Sequence, residues 1–136
     1  MISRRGIVAL LAAPLLLPAA TAGAQTTMLM GTVNYNERMA LPQNATVLVQ
    51  LLDISLADAP AQVIAEDRIT GAAGSPIPYK LRFDQNLIKP RRTYALQARI
   101  SDGDRLMFIN TNRHAVFAGG RNNTRILVQR VDSQQR

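Results

Sequence analysis

The sequence predicts an all-β fold, a single antiparallel β-sandwich or small open barrel of seven to eight short strands. Three observations predict it. Beyond Ala24 no long segment carries apolar residues at helical spacing, short apolar or alternating segments recur instead, and clusters of Gly, Pro, Asn and Asp separate them. Many short strands joined by short turns are the pattern of sandwiches and small barrels. A parallel βαβ architecture is not expected, because no crossover segment reads as a helix.

The chain opens on a leader-like segment, in which Arg4 and Arg5 precede an apolar run from Ile7 to Leu17 and Ala22-Gly23-Ala24 offers the small-x-small pattern of signal peptidase sites. The run is interrupted by Pro14 and is far shorter than the roughly 20 residues a spanning helix needs. We therefore expect residues 1–24 to be a cleaved secretory signal peptide and residues 25–136 to form one β-domain.

Within that domain the first predicted strand is Met28 to Tyr35. The second is Ala45 to Ile54, with Ala45, Val47, Val49 and Leu51 on one face and Leu48 and Leu52 on the other, a central strand covered on both sides. A turn of helix is expected over Ser55 to Ala61, where Ser55 or Asp58 offers a cap. Gln62 to Ile69 is a third strand. The segment Gly71 to Pro76 is a loop, since its glycines permit irregular φ and its proline donates no ladder hydrogen bond. In Ile77 to Phe83, Ile77, Tyr79, Leu81 and Phe83 alternate with Pro78, Lys80 and Arg82, so one face is core and the other wet. Thr93 to Ser101 places Tyr94, Leu96, Ala98 and Ile100 inward. Asp102-Gly103 then predicts a type I′ hairpin, with Arg105 to Asn110 as the return strand. Ala115 to Ala118 is a short strand, Gly119 to Asn123 a turn, and Thr124 to Val131 the closing strand before a polar tail.

The connection from Tyr35 to Ala45 breaks this apolar text with Glu37, Arg38 and Pro42. Its apolar residues Met39, Ala40 and Leu41 are expected to cap the open end of the core. Pro42 biases Leu41 toward an extended backbone that helps aim its side chain inward.

Composition removes several chemistries. The chain has no cysteine, so there is no disulfide framework, no thiol nucleophile and no lipid attachment at a leader cysteine. Its single histidine, His114, has no serine elbow near it and cannot complete a zinc site without cysteine partners. The carboxylates do not assemble in sequence either, because Glu66 and Asp67 point to opposite faces of a strand and the pair around Gly103 lacks the further ligands of a calcium loop. The glycines form no phosphate cradle. Neither catalytic residues nor a cofactor nor a metal site is expected.

The formal net charge is +7, to which Arg4 and Arg5 contribute two, and all cations except Lys80 and Lys89 are arginine. No interleaving of aromatic and basic residues suggests base stacking, so nucleic acid is not an expected partner. Arg91 and Arg92 open a strand, while Arg113, Arg121 and Arg125 surround the last turn. The latter three are a candidate anion- or partner-binding rim, set against the alternative of a solvated face that keeps a β protein soluble.

The run from Gly31 to Pro42, with Ala45 to Val49, Leu52-Asp53-Ile-Ser55 and Asp58-Ala59-Pro60, resembles the YbaY family of bacterial envelope proteins. Pro76 to Tyr79, Ile88-Lys-Pro90, Tyr94 to Ile100 and Asp102-Gly103 before Leu106-Met-Phe108 extend the resemblance over nearly all of the domain. That family is related to YscW-type pilotins, lipoproteins that chaperone a type III secretion secretin to the outer membrane. The resemblance implies a β-sandwich and no enzyme. The chain departs from it in having no cysteine to acylate, so the expectation is a soluble periplasmic protein. Three readings follow in order: a non-catalytic binding or chaperone-like module that captures an envelope protein or peptide segment, such as a secretion component, by an edge or groove; an accessory envelope protein in weak contact with an anionic membrane surface; and a hydrolase.

Overall fold

Alternating inward side chains build two facing sheets in a computed structural model that describes Pro14 and residues 25–117 and 122–131. The expected leader apart from Pro14, residues 118–121 of the expected short strand and turn, and the polar tail from 132 lie outside the described residues. In chain order the strands are β1 (Thr26–Asn34), β2 (Ala45–Asp53), β3 (Gln62–Thr70), β4 (Ile77–Asp84), β5 (Tyr94–Asp102), β6 (Arg105–Ile109), β7 (His114–Val116), β8 (Arg125–Leu127) and β9 (Gln129–Arg130). The small sheet has the order β4-β1-β8 and the large one β3-β2-β5-β6-β9, with β7 also paired to β5. This is the expected all-β sandwich.

Leu29 and Val33 of β1, the four alternating residues of β4 and Ile126 of β8 meet Ala45, Val47, Val49 and Leu51 of β2, Leu96, Ala98 and Ile100 of β5, and Phe108 of β6. Register explains the match: Leu29 lies opposite Leu81 and Val33 opposite Ile77, while Val47 lies opposite Ile100 and Val49 opposite Ala98. Directly opposed residues share a face, so each antiparallel pair delivers a double row to the core.

Several details differ from the sequence reading, each for a physical reason. The closing segment divides in two because it changes sheets: Arg125–Leu127 runs parallel to β1, Val128 is buried and donates its N–H to Asn34 O, and Gln129 then pairs with Ile109 of β6. A short parallel pair therefore joins the otherwise antiparallel ladders. Ser55 to Ala61 forms turns and no helix. Ser55 donates its hydroxyl to Asp53 and accepts from Thr93 N–H, so its oxygen is turned to the entry of β5 and not to the N–H groups of a helix starting there. The helical turn lies instead at Gln85–Leu87, where the Asp84 carboxylate accepts from Asn86 N–H. The hairpin after β5 turns on Gly103 and Asp104, since Asp102 still pairs with Arg105. Gly103 alone has positive φ there, at 59°, which is the type II′ pattern of glycine in the first central position. On β2, Leu52 is buried on the outer face, but Thr46, Leu48 and Gln50 are only half covered, because no described element lies over them.

The two sheets close against each other in different ways at their margins. On one side β3 adjoins β4, and Asp67 accepts from Lys80 N–H at 2.9 Å. At one end of the core the Tyr35–Ala45 connection folds inward: Leu41 is 9% exposed, donates its N–H to Ala73 O, and joins the core with half-buried Met39. Tyr35 stacks on Phe108 at 4.7 Å and donates its hydroxyl to Met39 O. Leu41 is thus the plug the sequence suggested, whereas Ala40 faces solvent and Glu37 buries one carboxylate oxygen without a partner among the described residues.

Candidate functional site

β1 presents one row of residues to the core and the other outward over Met28 to Val33. With Leu29, Gly31 and Val33 committed to the core row, Met28, Met30 and Thr32 must face away from it. Met28 is 43% and Met30 57% exposed, and Leu127, beside Asn34 in the parallel pair, is 46% exposed. The neighbouring rows are basic: Met28 lies opposite Arg82, Met30 opposite Lys80, and Thr32 between Pro78 and Arg125. Beside Met30 a depression of 410 Å³ is lined by Gly31, Asp67, Pro78, Tyr79 and Lys80. The outer face of the small sheet therefore combines exposed thioether and leucine side chains with three cations. Methionine is flexible and polarizable enough to fit partners of different shape.

The position of this face is fixed from beneath. At Gly31 an added Cβ would fall 2.1 Å from Thr124 O and 2.6 Å from Tyr79 Oη, so only glycine admits that junction. Tyr79 donates its hydroxyl to Thr124 O at 2.6 Å, and Thr32 N–H reaches the same carbonyl. Burial pushes the Tyr79 phenol well above its usual value, which keeps it a neutral donor.

A second constellation joins residues that the sequence placed in separate segments. Asp53 accepts from Ser55 through Oδ1 and from Arg92 through Oδ2 at 2.9 Å, and Ser55 Oγ accepts from Thr93 N–H. The Ser55 hydrogen bond first, then the Arg92 guanidinium, hold the Asp53 carboxyl below its ordinary value despite the opposing effect of burial. Both oxygens of that carboxylate accept from structural donors, so the group ties the exit of β2 to the entry of β5. Arg92, read from the sequence as part of a basic strand opening, has its partner here.

Of the predicted rim, Arg113 is exposed in the loop before β7, and Arg125 is exposed on the outer face of the small sheet. Arg121 lies outside the described residues. Arg113 lines a 250 Å³ depression on the large sheet with Leu52, Ala95, Asn110 and His114. His114 contacts Asn123 O through Nε2, which links β7 to the segment leading into β8. Among the described residues no group of three or more His, Asp or Glu side chains is placed to hold a metal ion.

Asn110 was not singled out in the sequence. Its Oδ1 accepts from Ala98 N–H and its Nδ2 donates to Leu96 O, so one side chain continues the ladder of β5 across the gap between β6 and β7. The outward methionines were also missed, because Met28 and Met30 read as ordinary strand apolars until the register assigns them a face.

Comparison with known proteins bears on this arrangement. Residues 24–128 match the family model described as type III secretion system lipoprotein chaperone, YscW. The chain is 36% identical over 91 residues to the uncharacterised lipoprotein YbaY of Escherichia coli strain K12, covering 66% of this chain. It spans about half the length of that relative, 48%. It also superposes, with a TM-score of 0.73 and 34% identity, on an alternative pilotin from the type II secretion system of Vibrio cholerae, covering 79% of this chain and 99% of the pilotin. The chain belongs to the YscW family of lipoprotein chaperones.

Proposed function

We propose that the protein is a non-catalytic, chaperone-like module of the cell envelope that holds a segment of a secretion component against the outer face of its small sheet. The observation that carries this reading is the exposed row of Met28, Met30 and Leu127 beside Lys80, Arg82 and Arg125. Apolar side chains left in water beside a shallow depression favour a partner that covers them, and the cations favour an acidic one. Membership of a family described as chaperones, and likeness to a pilotin, support the same direction. Face docking suits this sheet better than strand addition at β4, because Asp67 already occupies Lys80 N–H on that edge. The compartment we propose is the periplasm, reached behind a leader of residues 1–24 and held without a lipid anchor, since the chain has no cysteine.

The test is photo-crosslinking in the periplasm from a photoactivatable residue at position 30, with position 97 on the large sheet as comparator. An adduct with one component of a secretion apparatus, formed from position 30 and absent from position 97, is the expected result. Equal adducts from both positions would sink the reading. Cell fractionation in the same strain should recover the protein in the soluble periplasmic fraction.

A second reading is favoured by the exposure of Arg125 beside Leu127: the three cations of that outer face, Lys80, Arg82 and Arg125, touch an anionic membrane surface. Substituting all three with Gln should then lower retention on anionic liposomes. Unchanged retention removes it.

A further inference from the structure

The core-facing row of the large sheet ends in two arginines. Opposed residues share a face, so Arg105, paired with Asp102, and Arg130, paired with Phe108, both belong to the row that carries Ile100 and Phe108. A register shift in the β5–β6 pair sets Ile100 opposite Phe108 and Ser101 opposite Leu106, so Met107 is the extra residue of a bulge. Its side chain is buried, and its carbonyl accepts from Val131 N–H. A bulge bends its strand and redirects a side chain, and here it leaves a hollow between β6 and β9. The hollow has a volume of 280 Å³ and is lined by Arg105, Leu106, Met107, Arg130 and Val131.

We propose that this hollow binds a small anionic amphiphile, a phosphate or carboxylate head carried on a short apolar group. The head is set by the two guanidiniums, each of which presents a planar fork matched to an oxyanion. Neither makes an ion pair among the described residues, although Asp102 and Asp104 lie at the adjoining hairpin and Glu37 buries an unpartnered oxygen in the Tyr35–Ala45 connection. The apolar group is set by Leu106, Met107 and Val131. The volume sets the size: it falls just below the roughly 300–1,000 Å³ of ordinary ligand pockets, which suits a headgroup with a few methylenes. The hollow is on the large sheet, away from the methionine row, so it is a site separate from the one proposed for the secretion component.

The experiment titrates the isotopically labelled protein with octyl phosphate below its micelle concentration, and in parallel with inorganic phosphate and octyl glucoside, following the methyl and amide resonances of Met107, Leu106 and Val131. Octyl phosphate should shift these resonances saturably and bind at least tenfold more tightly than either half-probe. Arg105→Gln combined with Arg130→Gln should weaken it at least tenfold with an unchanged melting temperature, while Arg105→Lys should retain part of the affinity. Vesicles containing phosphatidylglycerol distinguish the source: retention on them that the double substitution abolishes identifies a lipid headgroup, and binding of octyl phosphate without vesicle retention identifies a free amphiphile. Equal affinity for octyl phosphate and inorganic phosphate, unshifted Met107 resonances, or a double variant that binds octyl phosphate as the parent does would each overturn the proposal. A double variant that only gains self-association would also overturn it, since the arginines would then serve to guard an edge strand.

Discussion

Gly31 shows how much one position can owe to residues far from it in sequence. On an inward slot of β1 it lies under Tyr79 and beside Thr124, and a methyl group there meets backbone oxygen at 2.1 Å. A carbonyl cannot rotate away as a side-chain tip can, so the Gly31→Ala substitution must part β1 from β8. We expect a loss of about 1–3 kcal/mol or more, measured by urea unfolding, with faster amide exchange at Thr32. Asp53 makes a different statement. Its carboxyl is held below the ordinary aspartate value by Ser55 and Arg92, so the folded state binds its proton less readily than the unfolded chain does. The resulting stabilisation is complete above the unfolded value of about 4 and is lost as the pH falls through the lower folded value. A carbon-detected titration should place the Asp53 midpoint below that of a model peptide, and Arg92→Ala should move it upward. A midpoint that Arg92→Ala leaves in place would show the guanidinium to be a bystander.

Among the elements, β2, β4 and β5 were legible because each is long, carries an apolar residue at every second position and is bounded by Pro, Gly, Asn or Asp, and their core rows appear in the structure as read, although the outer face of β2 is only half covered. The last strand was not, since nothing local in Thr124 to Val131 marks Val128 as the point where the chain leaves one sheet for the other. The hairpin was legible in place and not in type: Gly103 forces the turn, but pairing of Asp102 with Arg105 decides which two residues occupy it. The candidate site divides similarly. Arginines attract notice in any sequence, so the rim was named, whereas exposed methionines within an apolar strand become visible only when the register of β1 is known. The β5 ladder offers the prediction at this scale. Asn110 supplies a donor and an acceptor to Leu96 O and Ala98 N–H, so Asn110→Ala leaves both without that partner. We expect about 1–3 kcal/mol of destabilisation and markedly faster exchange of the Ala98 amide, while amides of the β1–β4 ladder keep their relative protection. Unchanged exchange at Ala98 would mean that water replaces the side chain at no cost.

For the whole molecule the question is what makes two sheets of unequal size one cooperative unit. The seam at Asp67 and Lys80 supplies one link, the crossing at Val128 a second, and the plug at Leu41 a third, in which a loop residue is packed into the shared core and hydrogen-bonded to the loop between β3 and β4. The plug was readable because an apolar triplet ahead of a proline has few uses in a solvated connection; the sheet order it closes was not, because sequence alternation is silent about which strand neighbours which. Truncating the plug tests the union of the sheets. Leu41→Ala removes three buried carbons from a residue that belongs to the same buried cluster as Tyr35 and Phe108 and is held by its N–H to Ala73 O, so the cost should lie in the range of about 2–5 kcal/mol. If the plug binds the sheets into one unit, the melting curves read from Tyr79 in the small sheet and from Tyr94 in the large sheet should fall together and remain superimposable. Curves that separate would mean that the small sheet, which carries the proposed docking face, opens on its own once the plug is gone, and that the core is two packed halves whose cooperativity depends on this corner.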